Sequence, residues 1–393
     1  MGIFSGPEKK DKLMLAFHVG SSSVEGVLFR ARPSVVPEIV FSAQETIQTE
    51  KEINIQKLLS STVQALEKVA EKIHRAGLGA PEQIFCVLSS PWYVSQTRII
   101  HLKKNTPFVF TAKLANDLMR REANLFREES IGRHKDPSDT LRLLEFKNIR
   151  TALNGYETAR PLGQKTKDLN LTVFASMSAE KVLLKMEDAI HRFFYVKPVE
   201  FFSSALSAFA AVRDLHVKNK DFLLIKVGGE VTDILMVKDN ALEETLSFPS
   251  GRNFFTRGMV FGLACSVHEA NSLISILKDK HTEKSLVRKS ADLLENLKKE
   301  WLAEFEQALS RLATDISIPS RIFLMADAQL GNFFSELIGK EEFNQYTFTE
   351  GKFQISLLES SAIVALAQGE NREVLEPDLI LSLIYINRLS FKK

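Results

Sequence analysis

Residues Leu15–Phe29 read LAFHVGSSSVEGVLF, and residues Phe222–Leu235 read FLLIKVGGEVTDIL. Each stretch passes from an apolar run through a glycine turn to polar residues and then to a second apolar run. This order predicts a β-hairpin in both places. Because the backbone amides of such a turn can surround a phosphate group, both turns are also candidate phosphate sites.

The two turns supply a defined set of candidate ligands for a phosphate. Their amides, hydroxyls and one carboxylate belong to Gly20, Ser21, Ser22, Ser23, Gly228, Gly229, Thr232 and Asp233. Either hairpin alone is a common structural feature and indicates little about function. Two such hairpins, in this order and separated by about one domain's length, form a much more specific pattern.

The paired hairpins resemble those of the superfamily that contains actin, DnaK-type chaperones and sugar kinases. The resemblance implies an α/β fold with two similar ribonuclease H-like lobes, which face each other across a nucleotide cleft. Active members of this superfamily carry an aspartate directly before each turn, where it holds hydrated magnesium. This chain has His18 and Lys226 at those positions. The frame of the site is therefore present without its metal-binding acids. If the fold is right, His18 and Lys226 face each other across the cleft, and the ammonium keeps His18 neutral near pH 7. We expect Asp233 or Asp327 as the counter-charge of Lys226, since an unpaired buried ammonium is costly.

Two further parts of the pocket depart from the superfamily pattern. Met325–Ala328 stands where a glycine-rich loop lies flat against the adenine, and Asn271 and Ile274 stand where Glu and Lys reach the base and the ribose. Lys226 also reverses the charge beside the expected metal ion. We therefore predict a pseudo-ATPase with no catalytic residue, no bound metal and no cofactor.

The alternative is an active ATPase or a kinase on the same fold, with ATP as its ligand. Lys226 could replace magnesium and bind phosphate directly, as the lysine of P-loop proteins does. Glu230 argues against this because it adds negative charge to the second turn. Asp233 has a purely structural interpretation as well, since a hairpin aspartate can accept hydrogen bonds from backbone amides.

The residues between the hairpins indicate an inserted subdomain. Ser89–Pro91, Thr97–Arg98, Leu153–Tyr156, Pro161–Gly163 and Leu169–Leu171 resemble the insertion that distinguishes the bacterial FtsA and PilM group from actin and the sugar kinases. The pattern does not separate FtsA from PilM. Because group-specific function tends to lie in such grafted parts, we expect protein partners to bind the insertion.

Strand and helix patterns divide the chain into four parts. The first-lobe α/β core is predicted at 13–88 and is completed by 176–215, and the small α+β insertion is predicted at 89–175. The second-lobe core is predicted at 216–255 and is completed by 318–393, with a helical fourth subdomain at 256–317. Apolar periodicity predicts helices at 55–76, 111–129, 178–194, 203–212 and 290–313, the third of which Ser178 would cap.

The last stretch, Asp378–Phe391, is apolar on nearly all sides. A helix that lies on a membrane surface needs a broad charged face. We therefore predict a buried helix here, in contrast to the amphipathic membrane helix that FtsA carries. Membrane association, if present, would then be indirect and depend on a partner.

Composition indicates a cytoplasmic protein. The net charge of +2 gives no reason to expect nucleic acid as a partner. Cys86 and Cys265 lie far apart between apolar neighbours, which predicts buried free thiols in a reducing compartment. No apolar run approaches the roughly 18 residues of a membrane span, and the charged run Glu8–Lys12 stands where a signal peptide would be apolar.

The resemblance implies a bacterial adaptor at the inner face of the cell membrane. In FtsA the envelope machine is the division ring, and in PilM it is the type IV pilus assembly platform. Partners would be proteins bound through the insertion, and self-association remains open.

Overall fold

The structure is a computed structural model. It describes residues 11–32, 36–133, 140–195, 198–278, 285–313, 317–327, 330–347, 352–358, 368–369 and 375–391. The strands are β1 (Lys12–Val19), β2 (Ser23–Ala31), β3 (Glu38–Thr46), β4 (Gln83–Leu88), β5 (Val94–Val109), β6 (Leu141–Leu153), β7 (Tyr156–Glu157), β8 (Lys165–Ala179), β9 (Val199–Ser203), β10 (Phe222–Val227), β11 (Thr232–Lys238), β12 (Ala241–Phe248), β13 (Arg321–Met325), β14 (Gln354–Leu357) and β15 (Gln368–Gly369). The helices are α1 (Ile55–Arg75), α2 (Ala112–Arg133), α3 (Glu180–His191), α4 (Ser204–Leu215), α5 (Arg252–Leu263), α6 (Val267–Lys278), α7 (Ser285–Leu312), α8 (Gly331–Lys340) and α9 (Pro377–Leu389).

Two of the three sheets repeat one arrangement of strands. The first sheet has the order β15-β3-β2-β1-β4-β9, and the second has the order β12-β11-β10-β13-β14. In each sheet the predicted hairpin is antiparallel, and its first strand also pairs in parallel with a later strand. The two predicted hairpins and the fold class, an α/β fold of two similar lobes, are therefore confirmed.

The hairpin strands are buried along most of their length. From Met14 to Val19 every residue of β1 is buried, and so is all of β10. Strands covered on both faces read as continuous apolar runs, which explains why these segments do not alternate. In each hairpin one pair of titratable side chains interrupts the apolar run at matching register, His18 opposite Glu25 and Lys226 opposite Asp233.

Local signals place most helices close to their predicted bounds. The side chain of Asn54 accepts hydrogen bonds from two amides at the start of α1, and Gly77, with φ of +65°, follows its end. The predicted cap at Ser178 is wrong. Helix α3 begins at Glu180 because β8 continues through Ala179, and the Ser178 hydroxyl donates instead to the carbonyl oxygen of Trp92 at 2.6 Å.

The insertion forms a third, antiparallel sheet in the order β5-β8-β6-β7, with α2 packed against it. It has a small core of its own, made by Ile100, Phe110, Leu153, Leu169, Leu171 and Val173. The sheet spans Val94 to Ala179, so it lies slightly later than the expected 89–175. Trp92 and Tyr93 are buried in the first-lobe core and not in the insertion.

The end of the chain differs from the expected division into lobes. We expected 318–393 to complete the second lobe, but β15 pairs with β3 of the first sheet, and α9 packs against α4 and β1. The predicted burial of this helix is confirmed, since Leu379, Leu381, Leu383 and Ile386 are 0% exposed. A helix that is apolar on nearly all sides is stable only with neighbours on nearly all sides.

The helices predicted as a fourth subdomain share their core with the second sheet. Trp301 and Phe305 of α7 and Met259 of α5 belong to one buried cluster with Ile225 and Ile234 of the sheet. Both cysteines are free, Cys86 buried as predicted and Cys265 only half-buried.

Candidate functional site

The two predicted phosphate turns face each other between the lobes. We call the space around them the interlobe cleft; it is lined by His18, Gly20–Ser23, Ser89, Ser90, Lys226–Gly229, Val231, Asp233, Arg252, Met325–Asp327 and Glu376–Asp378. Seven of the eight predicted phosphate ligands are among these residues. Thr232 is not, because its hydroxyl donates to the carbonyl oxygen of Ser250 at 2.8 Å. The role of the seven as phosphate ligands remains a prediction.

The two turns are in direct contact. The backbone amide of Glu230 in the second turn donates to Ser21 Oγ in the first turn at 2.9 Å. A Cβ atom added to Gly229 would lie 2.8 Å from Ser22 Cβ and 2.9 Å from Ser21 Oγ, closer than real Cβ contacts. At this point of contact the two turns leave no space for a phosphate group.

Some backbone amides of the two turns already donate hydrogen bonds to carbonyl oxygens of the protein, so they are not available to a phosphate. Gly20 N donates to Ser23 O at 3.0 Å, and Gly228 N donates to Val231 O at 2.9 Å. The N-terminus of α5, a position that suits anions, is occupied by the second turn. Arg252 N and Asn253 N donate to the carbonyl oxygens of Gly228 and Gly229, both at 2.9 Å.

Glu230 contributes to packing and does not act on a ligand in the cleft. Its carboxylate forms an ion pair with Arg257 and accepts a hydrogen bond from Asn253 Nδ2 at 2.7 Å. Both partners belong to α5, and Glu230 does not line the cleft. We expected its charge to oppose a triphosphate, but the charge is instead paired with a buried guanidinium.

His18 and Lys226 meet in the interlobe cleft, as predicted. His18 Nε2 lies 2.8 Å from Ser89 Oγ, and Lys226 Nζ donates to Ser204 Oγ at 2.5 Å. Ser89 Oγ in turn donates to Ser204 Oγ at 3.0 Å. A chain of hydroxyls therefore connects His18 to Lys226.

The counter-charge of Lys226 is not the one we expected. Asp233 and Asp327 were the predicted partners, but Asp378 Oδ2 lies 2.9 Å from Lys226 Nζ. The Asp233 carboxylate accepts hydrogen bonds from Ser90 and Ser247 at 2.7 and 2.6 Å. Asp327 forms an ion pair with Arg252. Sequence reasoning missed Asp378 because no local pattern indicates that α9 returns to the cleft; the one available signal was an acid in the first helical turn, directly after a proline.

Burial shifts the pKa values of His18 and Asp233 in the cleft. It lowers the pKa of His18 to about 4, an effect that Asp378 opposes and Lys226 reinforces. His18 is therefore neutral near pH 7, as predicted, although burial is the larger cause and the ammonium the smaller. Burial also raises the pKa of Asp233, and the Lys226 ammonium opposes this rise.

Glu25 opposite His18 is buried without a charged partner close by. Its Oε1 accepts a hydrogen bond from the amide of Glu376 at 3.2 Å, whereas Oε2 has no hydrogen-bond partner among the described residues and lies 3.9 Å from His18 Nδ1. Burial, together with nearby Glu376, raises the pKa of Glu25 well above its usual range. A neutral Glu25 costs less in this apolar setting than a charged one.

The predicted base-reading positions do not face the cleft. Ile274 is buried in the helical core, and Asn271 Oδ1 accepts a hydrogen bond from Thr256 Oγ1 at 2.8 Å. Ala326 and Asp327 do line the cleft, whereas Ala328 lies outside the described residues.

The cleft is also small for a nucleotide. The free cavity measures about 80 Å³, whereas sites for small molecules usually hold roughly 300–1,000 Å³. The residues of this cleft therefore do not fit a magnesium–nucleotide complex. In the part of the chain that the structure describes, no group of three or more His, Cys, Asp and Glu side chains could hold a metal ion.

Comparison with known proteins supports the fold alone. Neither a protein-family model nor a curated protein matches the chain. A solved structure described as the PilM–PilN type IV pilus biogenesis complex matches with a TM-score of 0.64, covering 97% of this chain and 99% of that one at 12% identity. The fold is actin-like. At this identity the similarity establishes nothing finer than the fold.

Two further solved structures match with lower scores. A Bacteroides thetaiotaomicron protein with an actin-like ATPase fold covers 91% of this chain and 94% of its own length, at 8% identity and a TM-score of 0.42. The PPX-GPPA enzyme of Aquifex aeolicus covers 97% and 93%, at 10% identity and a TM-score of 0.37. Because both TM-scores are below 0.5, we base no argument on these two similarities.

Proposed function

We propose that this chain is a bacterial cytoplasmic scaffold of the FtsA or PilM type, a pseudo-ATPase that links an envelope machine to partner proteins. The observation that carries the proposal is the direct contact between the two turns, where the Glu230 amide donates to Ser21 Oγ. In an active member of the superfamily the phosphates would lie between these turns. A fold that keeps the frame and fills the cleft is suited to binding proteins through its outer surfaces.

The pilus platform is the better-supported of the two machines. The structure that matches with a TM-score of 0.64 is described as a PilM–PilN complex of type IV pilus biogenesis. Helix α9 occupies the place in the sequence where we considered an FtsA-like membrane helix, and it is packed into the protein. No helix within the described residues is long and apolar enough to cross a membrane. We therefore propose indirect membrane association through a partner.

The insertion carries the surface that we propose for the partner. A groove of about 590 Å³ lies between β5 and α2 of the insertion and β12 of the second lobe. We call it the insertion groove; its lining residues are Val94–Thr97, Ile99, Phe126, Ser130 and Glu243–Thr245. Val94 and Ile99 are 47% and 63% exposed, so apolar surface is available along this wall.

An extended peptide segment with apolar and basic side chains matches the insertion groove. Strand β5 is the edge of its sheet, and an edge strand can pair with an added strand. The contacts of β5 with β12 include hydrogen bonds of 3.2–3.3 Å: the hydroxyls of Ser95 and Thr245 bond to each other, Thr97 Oγ1 donates to Leu242 O, and Thr245 Oγ1 donates to Ser95 O. On the opposite wall Glu243 is paired with Arg150 at 2.5 Å, whereas Glu244 is exposed, and its carboxyl group favours a basic partner.

Titration calorimetry with magnesium and ATP tests the pseudo-ATPase assignment. We expect no measurable binding, because the turns touch and the cavity is too small. The double substitution His18→Asp with Lys226→Asp is the matched control, since it restores the two acids and leaves the turn contact in place. We expect no binding there either. Micromolar affinity of the unaltered chain would instead establish the ATPase or kinase alternative.

A further inference from the structure

Asp378 occupies a special position at the start of α9. It is the second residue of the helix, directly after Pro377, and its side chain is only 18% exposed. Its Oδ2 lies 2.9 Å from Lys226 Nζ and 3.7 Å from His18 Nε2. The carboxylate therefore lies between the two side chains that replace the magnesium-binding acids.

This contact joins the two lobes. Lys226 belongs to β10 of the second sheet, whereas α9 packs against α4 and β1 of the first lobe. The other hydrogen-bond partner of the ammonium, Ser204 Oγ, begins α4. Asp378 Oδ2 and Ser204 Oγ, which both lie within hydrogen-bond distance of the Lys226 ammonium, thus come from the first-lobe side of the cleft.

We propose that Asp378 is an internal carboxylate ligand of the interlobe cleft, which binds the Lys226 ammonium and so couples the docking of α9 to closure of the lobes. The inference rests on the proposed function, because it concerns the same cleft. It adds the ligand that the cleft holds: a carboxylate from this chain, in the space that a nucleotide phosphate and its metal occupy in active relatives.

The surroundings of Lys226 show why this one contact matters. The lysine side chain is 5% exposed, and a buried ammonium without a partner is costly. Asp233 lies opposite Lys226 in the hairpin, but its Oδ1 already accepts from Ser90 and Ser247. The neutral His18 supplies no negative charge. Removing Asp378 therefore leaves the ammonium with less compensation whenever the lobes are closed.

The rest of α9 is held by apolar packing and by a second ion pair. Arg388 near its C-terminus pairs with Asp214 of α4, and these side chains are 39% and 34% exposed. This pair lies within the first-lobe side and does not reach Lys226. Asp214→Ala is therefore a matched control that breaks an ion pair of the same helix without touching the cleft.

Hydrogen exchange of the full chain tests the coupling. In Asp378→Ala we expect the amides of both turns and of the first turn of α9 to exchange together, faster by at least about tenfold. Lys226→Ala should act at the same amides, and the double substitution should add little to either single one. Asp214→Ala should leave the two turns at the rate of the unaltered chain.

A small carboxylate added to the solution tests whether the missing Asp378 carboxylate is the cause of the faster exchange. In Asp378→Ala, sodium formate should restore slow exchange at the turns, whereas sodium chloride at equal ionic strength should not. The rescue should disappear when Lys226→Ala is added. If Asp378→Ala does not fold, Asp378→Asn keeps the shape and removes the charge, and it should show the same faster exchange without rescue.

Other outcomes overturn the proposal. Unchanged exchange at the turns in Asp378→Asn and Asp378→Ala, independent effects of the two alanine substitutions, or indifference of a folded Asp378→Ala variant to formate would each do so. These results are separable from the calorimetry. Nucleotide binding by the unaltered chain would end the pseudo-ATPase assignment, whereas absence of coupling without nucleotide binding would end only this inference.

Discussion

At the scale of single residues, one glycine sets how closely the second turn approaches α5. A Cβ atom on Gly251 would lie 2.4 Å from the carbonyl oxygen of Gly228 and 2.5 Å from that of Gly229. Both oxygens accept hydrogen bonds from the first amides of α5. Because the obstructing atoms are backbone atoms in use, they cannot turn aside as a side chain would.

We predict that Gly251→Ala lowers the free energy of unfolding by about 1–3 kcal/mol, the usual cost of overpacking. The added methyl group must displace the second turn from α5. Urea unfolding followed by circular dichroism measures the change. Gly339→Ala is the control, because the nearest atom to its Cβ is Ile355 Cδ1 at 3.5 Å and alanine favours a helix. An equal loss in both variants would contradict the argument.

At the scale of elements, a buried carboxyl group connects the insertion to the first lobe. Glu145 on β6 is 2% exposed, and its Oε2 accepts from Ser176 Oγ of β8 at 2.7 Å and from the amide of Ser203 at 3.1 Å. Ser203 caps α4 and ends β9 of the first sheet. The insertion is thus attached to the lobe through a group that burial makes hard to ionise.

This attachment has a predictable pH dependence. Burial raises the pKa of Glu145 from 4.5 to about 7, against the effect of its hydrogen bonds from Ser203 and Ser176. The folded protein therefore holds this proton more tightly than the unfolded chain does. The stability that the folded protein gains from binding this proton is fully present below about pH 4.5 and is lost as the pH rises through about 7.

The substitution Glu145→Gln should remove this dependence, because glutamine stays neutral and has nearly the same shape. We expect the stability of the variant relative to the unaltered chain to increase from pH 5 to pH 8, by up to roughly 3 kcal/mol. Urea unfolding at both pH values measures it. Glu200→Gln, which changes an exposed carboxyl on β9, is the control. A constant difference between the Glu145→Gln variant and the unaltered chain would show that Glu145 does not titrate in this range.

At the scale of the whole molecule, the surface that we propose for the partner combines two parts of the fold. The insertion groove lies where the insertion meets the second lobe, so neither part alone forms it. Deleting the insertion from Trp92 onward would be a poor test of it, because Trp92 Nε1 donates to Gly20 O at 3.0 Å and Trp92 packs in the first-lobe core. A surface substitution avoids this damage.

Peptide display provides a probe for the insertion groove. When a random peptide library is selected on the unaltered protein, we expect enriched sequences that combine aliphatic and basic residues in an extended pattern. Ile99→Asp should abolish their binding, because it places a charge on the apolar wall. Val217→Asp, at a residue 68% exposed after α4, should retain it. Peptides that bind equally to both variants would place the partner surface elsewhere.

Much of this molecule follows from local sequence signals. Glycine turns between apolar runs determined both hairpins, and apolar periodicity with caps such as Asn54 determined α1 almost to the residue. The combination of both hairpins with an insertion was enough to predict the two-lobed α/β fold. These features are predictable because backbone hydrogen bonding and side-chain periodicity involve residues that are close in the chain. The same local comparison placed His18 and Lys226 in one cleft.

Tertiary structure decided what the cleft contains. Asp378 and its partner Lys226 are far apart in the sequence, with most of the second lobe between them. No residue pattern in α9 indicates that this helix packs on the first lobe. The contact of Ser21 with Glu230, and the pairing of Glu230 with Arg257, likewise depend on how the lobes and helices meet. Such contacts result from the summed packing of distant elements, in which no single residue carries a readable signal. The sequence therefore determined the two hairpins and the side chains before their turns, and only the packed lobes determined that the turns touch and that Asp378 pairs with Lys226 between them.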